Sequence, residues 1–232
     1  MMFGIIKCDE RVFTGDKLFI DVSKSFVPAG SSFHPTLSHE ISMDSGVTWI
    51  DVTATKSLSW IFSSAGAKII TLRLTDSLSA QLTFPKTIQC LDLTAQKLFS
   101  NDSNLYPYET EIDQYLPKKW SSWNLVHLQS QEWIMDWLDE MGMTDNEGEK
   151  YIVADLLDSD QVKQLSCVKT LELIYESNIN IPGDLYTQKR DKYQKMVSER
   201  SSRSYLKLDA NKDGLSDLGD RQRLNSVGLY RR

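Results

Sequence analysis

The sequence predicts an α+β protein in two parts, an antiparallel β-sandwich followed by a helical bundle that ends in an extended arm. Three observations predict it. Between Lys17 and Asp92, short runs rich in β-branched and aromatic residues alternate with turn residues. Beyond Lys119 the apolar period changes from two to that of a helix. The length, 232 residues with 41% hydrophobic content, suits two modest cores better than one large one. The expected division is 1–93 for the sandwich, 94–119 for a connecting segment, 120–205 for the helical domain, and 206–232 for a turn and docking arm.

The strand candidates, in order, are KLFIDVS, TLSHEISM, VTWIDVT, SLSWIF, AKIITLRLTD and QLTFPKTIQCL. In the fifth, Ile70, Leu72 and Leu74 alternate with Ile69, Thr71, Arg73 and Thr75, so one face is apolar and the other meets solvent. Asp44-Ser45-Gly46 and Ser64-Ala65-Gly66 supply residues that tolerate the backbone angles of tight turns. Trp49 and Trp60 are expected to plug the core.

The connection FSNDSNLYPYETEIDQYLPKKW is long for a structureless loop and reads as an ordered contact segment or a linker. After it, Val126, Trp133, Trp137 and Met141 mark a first amphipathic helix, with Ser121 or Ser122 as its cap and Gly142 at its end. A second helical stretch is expected over Glu149–Leu157. A third is expected over Asp160–Ser177, where Val162, Leu165, Val168, Leu171 and Ile174 recur at helical spacing. A fourth, Asp184 to Tyr205, has a thin apolar stripe of Leu185, Tyr193, Met196 and Val197, and so depends on a packing neighbour.

Charge bounds the function. A net charge of −6 and a pI of about 5.1 argue against a protein that coats nucleic acid or an anionic membrane. Cys8, Cys90 and Cys167 form no CxxC pair and no disulfide framework, which suits a reducing compartment. Met1–Lys7 lacks the pattern of a secretory signal, and no membrane partner is expected. His34, His39 and His127 are too scattered for a metal triad and are expected to be surface or packing residues. No GxSxG, HExxH, P-loop or GxGxxG occurs, so no enzyme is expected and no cofactor is required.

The sharpest local pattern is DANKDGLSDLGD, which puts Asp209, Asn211, Asp213, Asp217 and Asp220 at positions 1, 3, 5, 9 and 12 of a calcium-type loop. Glycine stands at position 6, and the Leu215 carbonyl would be the ligand at position 7. Aspartate replaces the usual glutamate at the last position, which shortens its reach. Calcium is therefore the one candidate metal, against the alternative of an acidic turn held by its own backbone hydrogen bonds.

Tryptophans gather at 120, 123, 133 and 137. Trp133 and Trp137 are assigned to the core, whereas Trp120 and Trp123 are candidates to face a partner. The stretch RQRLNSVGLYRR combines arginines with Leu224, Val227, Leu229 and Tyr230 and reads as a frayed tail or a docking arm.

Two resemblances add to this reading. SMDSGVTWIDV with WIFSSAGAKIITLRLTD resembles the late strands of Ig-like modules of the polycystic-kidney-disease and bacterial Ig kinds, which implies a spacer or adhesive decoration. The stretch from about Leu98 to Arg232 resembles head-to-tail connector, or adaptor, proteins of tailed bacteriophages. That resemblance rests on LFSNDSNLYPYETEIDQYLPKKWSSW, WLDEMG, LELIYES, YTQKRDKYQKM and LDANKDGLSDLGDRQRL. It implies a virion structural protein of the head–tail junction, made in the host cytoplasm. Usually twelve copies would form a ring against the portal protein and the tail or neck proteins, with double-stranded DNA passing through without sequence-specific binding. Leu224, Leu229, Tyr230, Arg231 and Arg232 would then form the portal-docking end. The competing expectation is an extracellular Ig-like and dockerin-like module that binds a scaffold or glycan.

Overall fold

The computed structural model describes residues 2–28, 37–156, 160–202, 205–209, 212–214 and 221–223. The chain divides into two compact units. One is Met1–Gln96 with Leu116–Ser122, and the other is Lys97–Tyr115 with Trp123–Arg232. The expected connection 94–119 is thus shared out between the two. Its last part returns to the β unit because polar partners wait there. The Lys17 amide donates to Ser121 Oγ at 2.9 Å, Ser122 Oγ donates to Asp16 Oδ2 at 2.7 Å, and Trp120 Nε1 donates to Asp9 Oδ2 at 2.8 Å.

The β unit contains β1 (Arg11–Phe13), β2 (Lys17–Asp21), β3 (Ser38–Ser42), β4 (Ile50–Asp51), β5 (Ser57–Ile61), β6 (Gly66–Thr75), β7 (Gln81–Leu91) and the short helix α1 (Leu93–Gln96). One sheet has the order β1-β7-β6-β3-β4, and β2 pairs with β5 in a second. The larger sheet is curled and mixed, because β1 runs parallel to β7. This corrects the expectation of a wholly antiparallel arrangement: β1 is three residues long, too short to show an alternation. Ile70, Leu72 and Leu74 of β6 share one core with Leu18 and Ile20 of β2 and Ile41 of β3.

Local chemistry trims the strands. VTWIDVT pairs only at Ile50–Asp51, since the Asp44 carboxylate takes the amides of Val47 and Thr48 and removes them from any ladder. Those bonds and the ones from the Thr48 and Ser42 hydroxyls hold the Asp44 carboxyl down at about 2. Trp49 therefore lies outside the core, with the Arg73 guanidinium 4.1 Å from its ring centroid, while Trp60 packs against the core as expected. Arg73 is in turn clamped by both Glu40 oxygens at 2.7 and 2.8 Å. Pro85 is tolerated within β7 because β1 reaches only Gln89–Leu91, leaving the proline on an unpaired side. His39 is buried, and burial and the neighbouring Lys56 charge push its pKa down.

In the helical unit, α2 (Asn124–Glu140), α3 (Asp160–Ser177) and α4 (Leu185–Ser201) are joined by the small ladder β8 (Tyr205–Lys207) with β9 (Arg221–Arg223). Helix α3 has the expected ends and packs against both α2 and α4. Gly142 ends α2 with φ of +71°. Its amide donates to Asp139 O, and that of Met143 to Leu138 O, which is the Schellman pattern. Ser121 and Ser122 do not cap α2, since their hydroxyls serve the β unit. The N-cap is Trp123, whose amide lies 3.3 Å from each Asp102 oxygen.

The expected helix over Glu149–Leu157 is replaced among the described residues by a turn. Asp145 Oδ1 accepts from the amides of Glu147 and Glu149, and Lys150 bridges back to Thr144; only a 3-10 turn, Val153–Asp155, follows. Helix α4 begins at Asp184, which caps the Thr187 amide at 2.7 Å. It stops at Ser201, because Tyr205 already belongs to β8.

Gly4 is required for close approach. A Cβ there would lie 2.1 Å from the Phe84 ring. Replacing Gly4 with alanine is expected to cost about 1–3 kcal/mol by forcing that ring out of place; an unchanged urea midpoint for the variant would show that the ring yields freely.

Candidate docking surfaces of the helical unit

Segment 97–115 is tied to the helices by two polar clusters. In the first, Ser100 Oγ lies 2.8 Å from His127 Nδ1 and 2.8 Å from Ser166 Oγ. The Ser130 hydroxyl donates to the Ser166 carbonyl at 3.0 Å, and Thr170 Oγ1 is 3.3 Å from His127 Nδ1. The other ring nitrogen, Nε2, faces Asp102 Oδ1 at 3.2 Å. The His127 ring thus bridges Asp102 on one nitrogen and the Ser100 and Thr170 hydroxyls on the other. A serine that attacks a substrate has to meet it. Ser100, Ser130, Ser166 and Thr170 are all buried, so this Ser-His-Asp arrangement joins segment 97–115 to α2 and α3.

The second cluster surrounds Glu109. Lys189 Nζ donates to Glu109 Oε2 at 2.8 Å and to the Tyr175 hydroxyl at 3.1 Å, and the Tyr193 hydroxyl donates to Glu109 Oε1 at 2.7 Å. The Tyr175 and Tyr193 rings stack at 5.8 Å, and Tyr115 meets Tyr175 edge-on at 5.6 Å. Burial alone would push the Glu109 carboxyl up, but the bonds from Lys189 and Tyr193 and the nearby lysine charges hold it below the usual range. Burial pushes the Tyr175 hydroxyl up to about 12. This cluster is how a helix with only Tyr193 and Val197 buried stays docked.

Of the four tryptophans, Trp123, Trp133 and Trp137 depart from the roles expected of them. Trp123 is 1% exposed and belongs to the core of the helical unit, which corrects its assignment as a partner contact. Trp120 is half-buried on the β unit, its indole N–H held by Asp9 and the Lys119 ammonium 5.1 Å from its ring centroid. Trp133 and Trp137 are only half-buried. Their rings lie parallel, with centroids 6.2 Å apart, and Lys169 Nζ sits 4.6 Å from the Trp133 centroid. With Met141, 40% exposed, they form a stripe at four-residue spacing along α2. Helical periodicity placed these rings on the apolar side, but it could not tell the middle of that side from its edge.

Of the calcium-type loop, Asp209, Asp213 and Gly214 are described, whereas Asn211, Leu215, Asp217 and Asp220 lie outside the described residues. The Asp213 amide donates to Asp209 Oδ1 at 3.1 Å, and that of Gly214 to Oδ2 at 2.7 Å. These bonds close the first half of the loop through protein atoms. The Lys212 ammonium pairs with Asp145 Oδ2 at 2.6 Å. Among the described residues no group of three or more His, Cys, Asp or Glu side chains gathers as metal ligands would. Leu224, Leu229, Tyr230, Arg231 and Arg232 also lie outside the described residues, as does His34.

No family model and no curated protein matches the chain. Among solved structures it is similar to a carbohydrate-binding module of the β-sandwich superfamily, with 17% identity, a TM-score of 0.34, and coverage of 40% of this chain and 35% of that one. It is also similar to the PKD1 domain of Vibrio anguillarum Epp, with 18% identity, a TM-score of 0.28, and coverage of 39% and 90%. The superoxide reductase neelaredoxin of Ignicoccus hospitalis is more distant, at 9% identity, a TM-score of 0.25, and coverage of 39% and 82%. The chain thus spans about a third of the first of these, and likenesses of this size carry no functional argument.

Two outcomes are expected for the polar clusters. Glu109→Gln should cost about 3 kcal/mol at neutral pH, because it leaves Lys189 without its charged partner. Since the folded pKa of Glu109 is depressed, its contribution is present above the ordinary value of 4.5 and disappears as pH falls through the folded one. The gap between wild type and variant in urea unfolding should therefore close toward pH 2; a gap that persists there would show a packing effect instead. His127→Leu removes the ring partner of the Ser100 and Thr170 hydroxyls and of Asp102, and should cost about 2–4 kcal/mol. An unchanged melting temperature would show that the cluster is dispensable.

Proposed function

We propose that this protein is a structural component of a tailed-phage neck, a ring adaptor between portal and tail through which double-stranded DNA passes. The β unit would be an Ig-like module of the polycystic-kidney-disease kind that projects outward, and the helical unit would form the ring. The observation that carries the reading is that the helical unit offers two unlike surfaces. One is the acidic, aromatic stripe of α2. The other is the apolar entry to α4, where Ile181 and Leu185 are 68% and 57% exposed. A ring needs such a pair, since each copy must meet its neighbour through different patches.

The sequence resemblance from Leu98 to Arg232 supports the same reading, as does the excess of acidic over basic residues after Ala95, which lets DNA slide without adhering. The portal-docking end would comprise Leu224, Leu229, Tyr230, Arg231 and Arg232, with Trp120 on the β unit as a further contact for neck proteins. Calcium bound by the Asp209–Asp220 loop would order the approach to that end. The competing reading, a glycan- or scaffold-binding module, draws little from Trp49, because the Arg73 guanidinium already covers a face of its ring.

Light scattering on the full chain, alone and mixed with a portal ring, is the direct test. A ring-sized species, or one that forms when portal is added, is the expected result. A monomer at every concentration that ignores portal removes the proposal.

A further inference from the structure

In the β unit a histidine and a lysine meet where little water reaches them. His39 lies on β3 and is 3% exposed, and the half-buried Lys56 places Nζ 2.7 Å from its Nδ1. An ammonium can only donate, so while Lys56 is charged this nitrogen has to accept, and the ring has to be neutral. Burial first, and then the Lys56 charge, hold the ring below its ordinary pKa of 6.5. Two groups favour the proton, the Leu37 carbonyl and the exposed carboxylate of Asp51 on β4. The facing residue on β6 is Leu74, which carries no charge.

The pair sits where the two sheets are joined. Lys56 ends the turn after β4 with φ of +54°, a left-handed conformation that is unfavourable for a residue with a side chain. Its amide donates to the Val52 carbonyl at 2.7 Å, and its carbonyl accepts from Val22, just past β2, at 2.9 Å. From the other side, the His39 carbonyl accepts the Val52 amide at 2.8 Å, and the His39 amide donates to Thr53 Oγ1 at 2.9 Å. The turn 52–56 therefore hangs on β3 of the larger sheet and leads into β5 of the second one.

We propose that His39 and Lys56 form an acid-sensitive clasp between the two sheets of the β unit. A proton on Nδ1 turns the acceptor into a donor and sets two cations against each other in a site too dry to screen them. Lys56 then leaves the ring, and the turn 52–56 loosens from β3. The sign follows from linkage. Above pH 6.5 the ring is neutral in the open and the closed form, and the clasp contributes in full. Below it the open form takes the proton more readily, so the contribution falls until the folded pKa is passed. Carboxylates ordinarily titrate at about pH 4, so the upper part of this window belongs to histidine. The clasp lies within the β unit and is independent of ring and portal.

Hydrogen exchange read by mass spectrometry on the full chain tests it in an assembly of any size. Exchange at the ring carbon between the two nitrogens should give His39 a midpoint below 6.5. From about pH 7.5 to about pH 5, the amides of 52–57, corrected for intrinsic rate, should lose protection about tenfold or more. Those of β6 and β7 should keep theirs. His39→Gln is uncharged at every pH and still able to accept from Lys56, and it should abolish the pH dependence. Lys56→Met removes the second cation and should raise the His39 midpoint. The clasp is refuted if wild-type protection is flat over this range, if the glutamine variant loses protection equally, or if His39 titrates at 6.5 or above. Should His39→Gln fail to fold, Lys56→Met decides alone, and an unmoved midpoint there refutes it as well.

Discussion

The helical unit depends on one partly buried carboxylate, Glu109. It comes from a segment with no long helix of its own, yet it takes hydrogen bonds from Lys189 and Tyr193 of α4, and through Lys189 it reaches Tyr175 of α3. A helix that buries only two of its side chains cannot hold its place by apolar area alone. Charge-assisted bonds in a partly desolvated site supply the rest, with the stacked tyrosines shielding them from water. The Ser100, His127 and Asp102 group does the same for α2 and the far side of α3. Segment 97–115 thus acts as the polar seam of a unit whose central helix is buried nearly all round.

Much of the fold was legible because period and turn chemistry act locally. The alternation at Ile69–Thr75, the turn glycine at 66, the ends of α3 and the Gly142 stop all follow from a few neighbouring residues. What was not legible depended on partners distant in sequence. The serines before α2 look like caps until Asp16, more than a hundred residues earlier, claims them. VTWIDVT looks like a strand until the Asp44 carboxylate takes its amides. The exchange of roles among Trp123, Trp133 and Trp137 has the same origin: an indole is as suitable for a core as for a contact surface, and only the neighbouring elements decide.

The candidate surface was half visible. Its composition stands out in the sequence, four acidic residues and two tryptophans on one helix with neither lysine nor arginine. Its exposure does not, since Trp133 and Trp137 satisfy the apolar period as well as core residues would.

The division of the chain has a further consequence. It leaves the β unit at Gln96, comes back at Leu116, and leaves again after Ser122. The short return brings Trp120, Ser121 and Ser122 to Asp9, Asp16 and Lys17. Neither half is therefore a cassette that a single recombination event could transplant intact. A cut anywhere between 97 and 122 would strip one half of residues that complete it, so in descent the two are expected to travel as a pair.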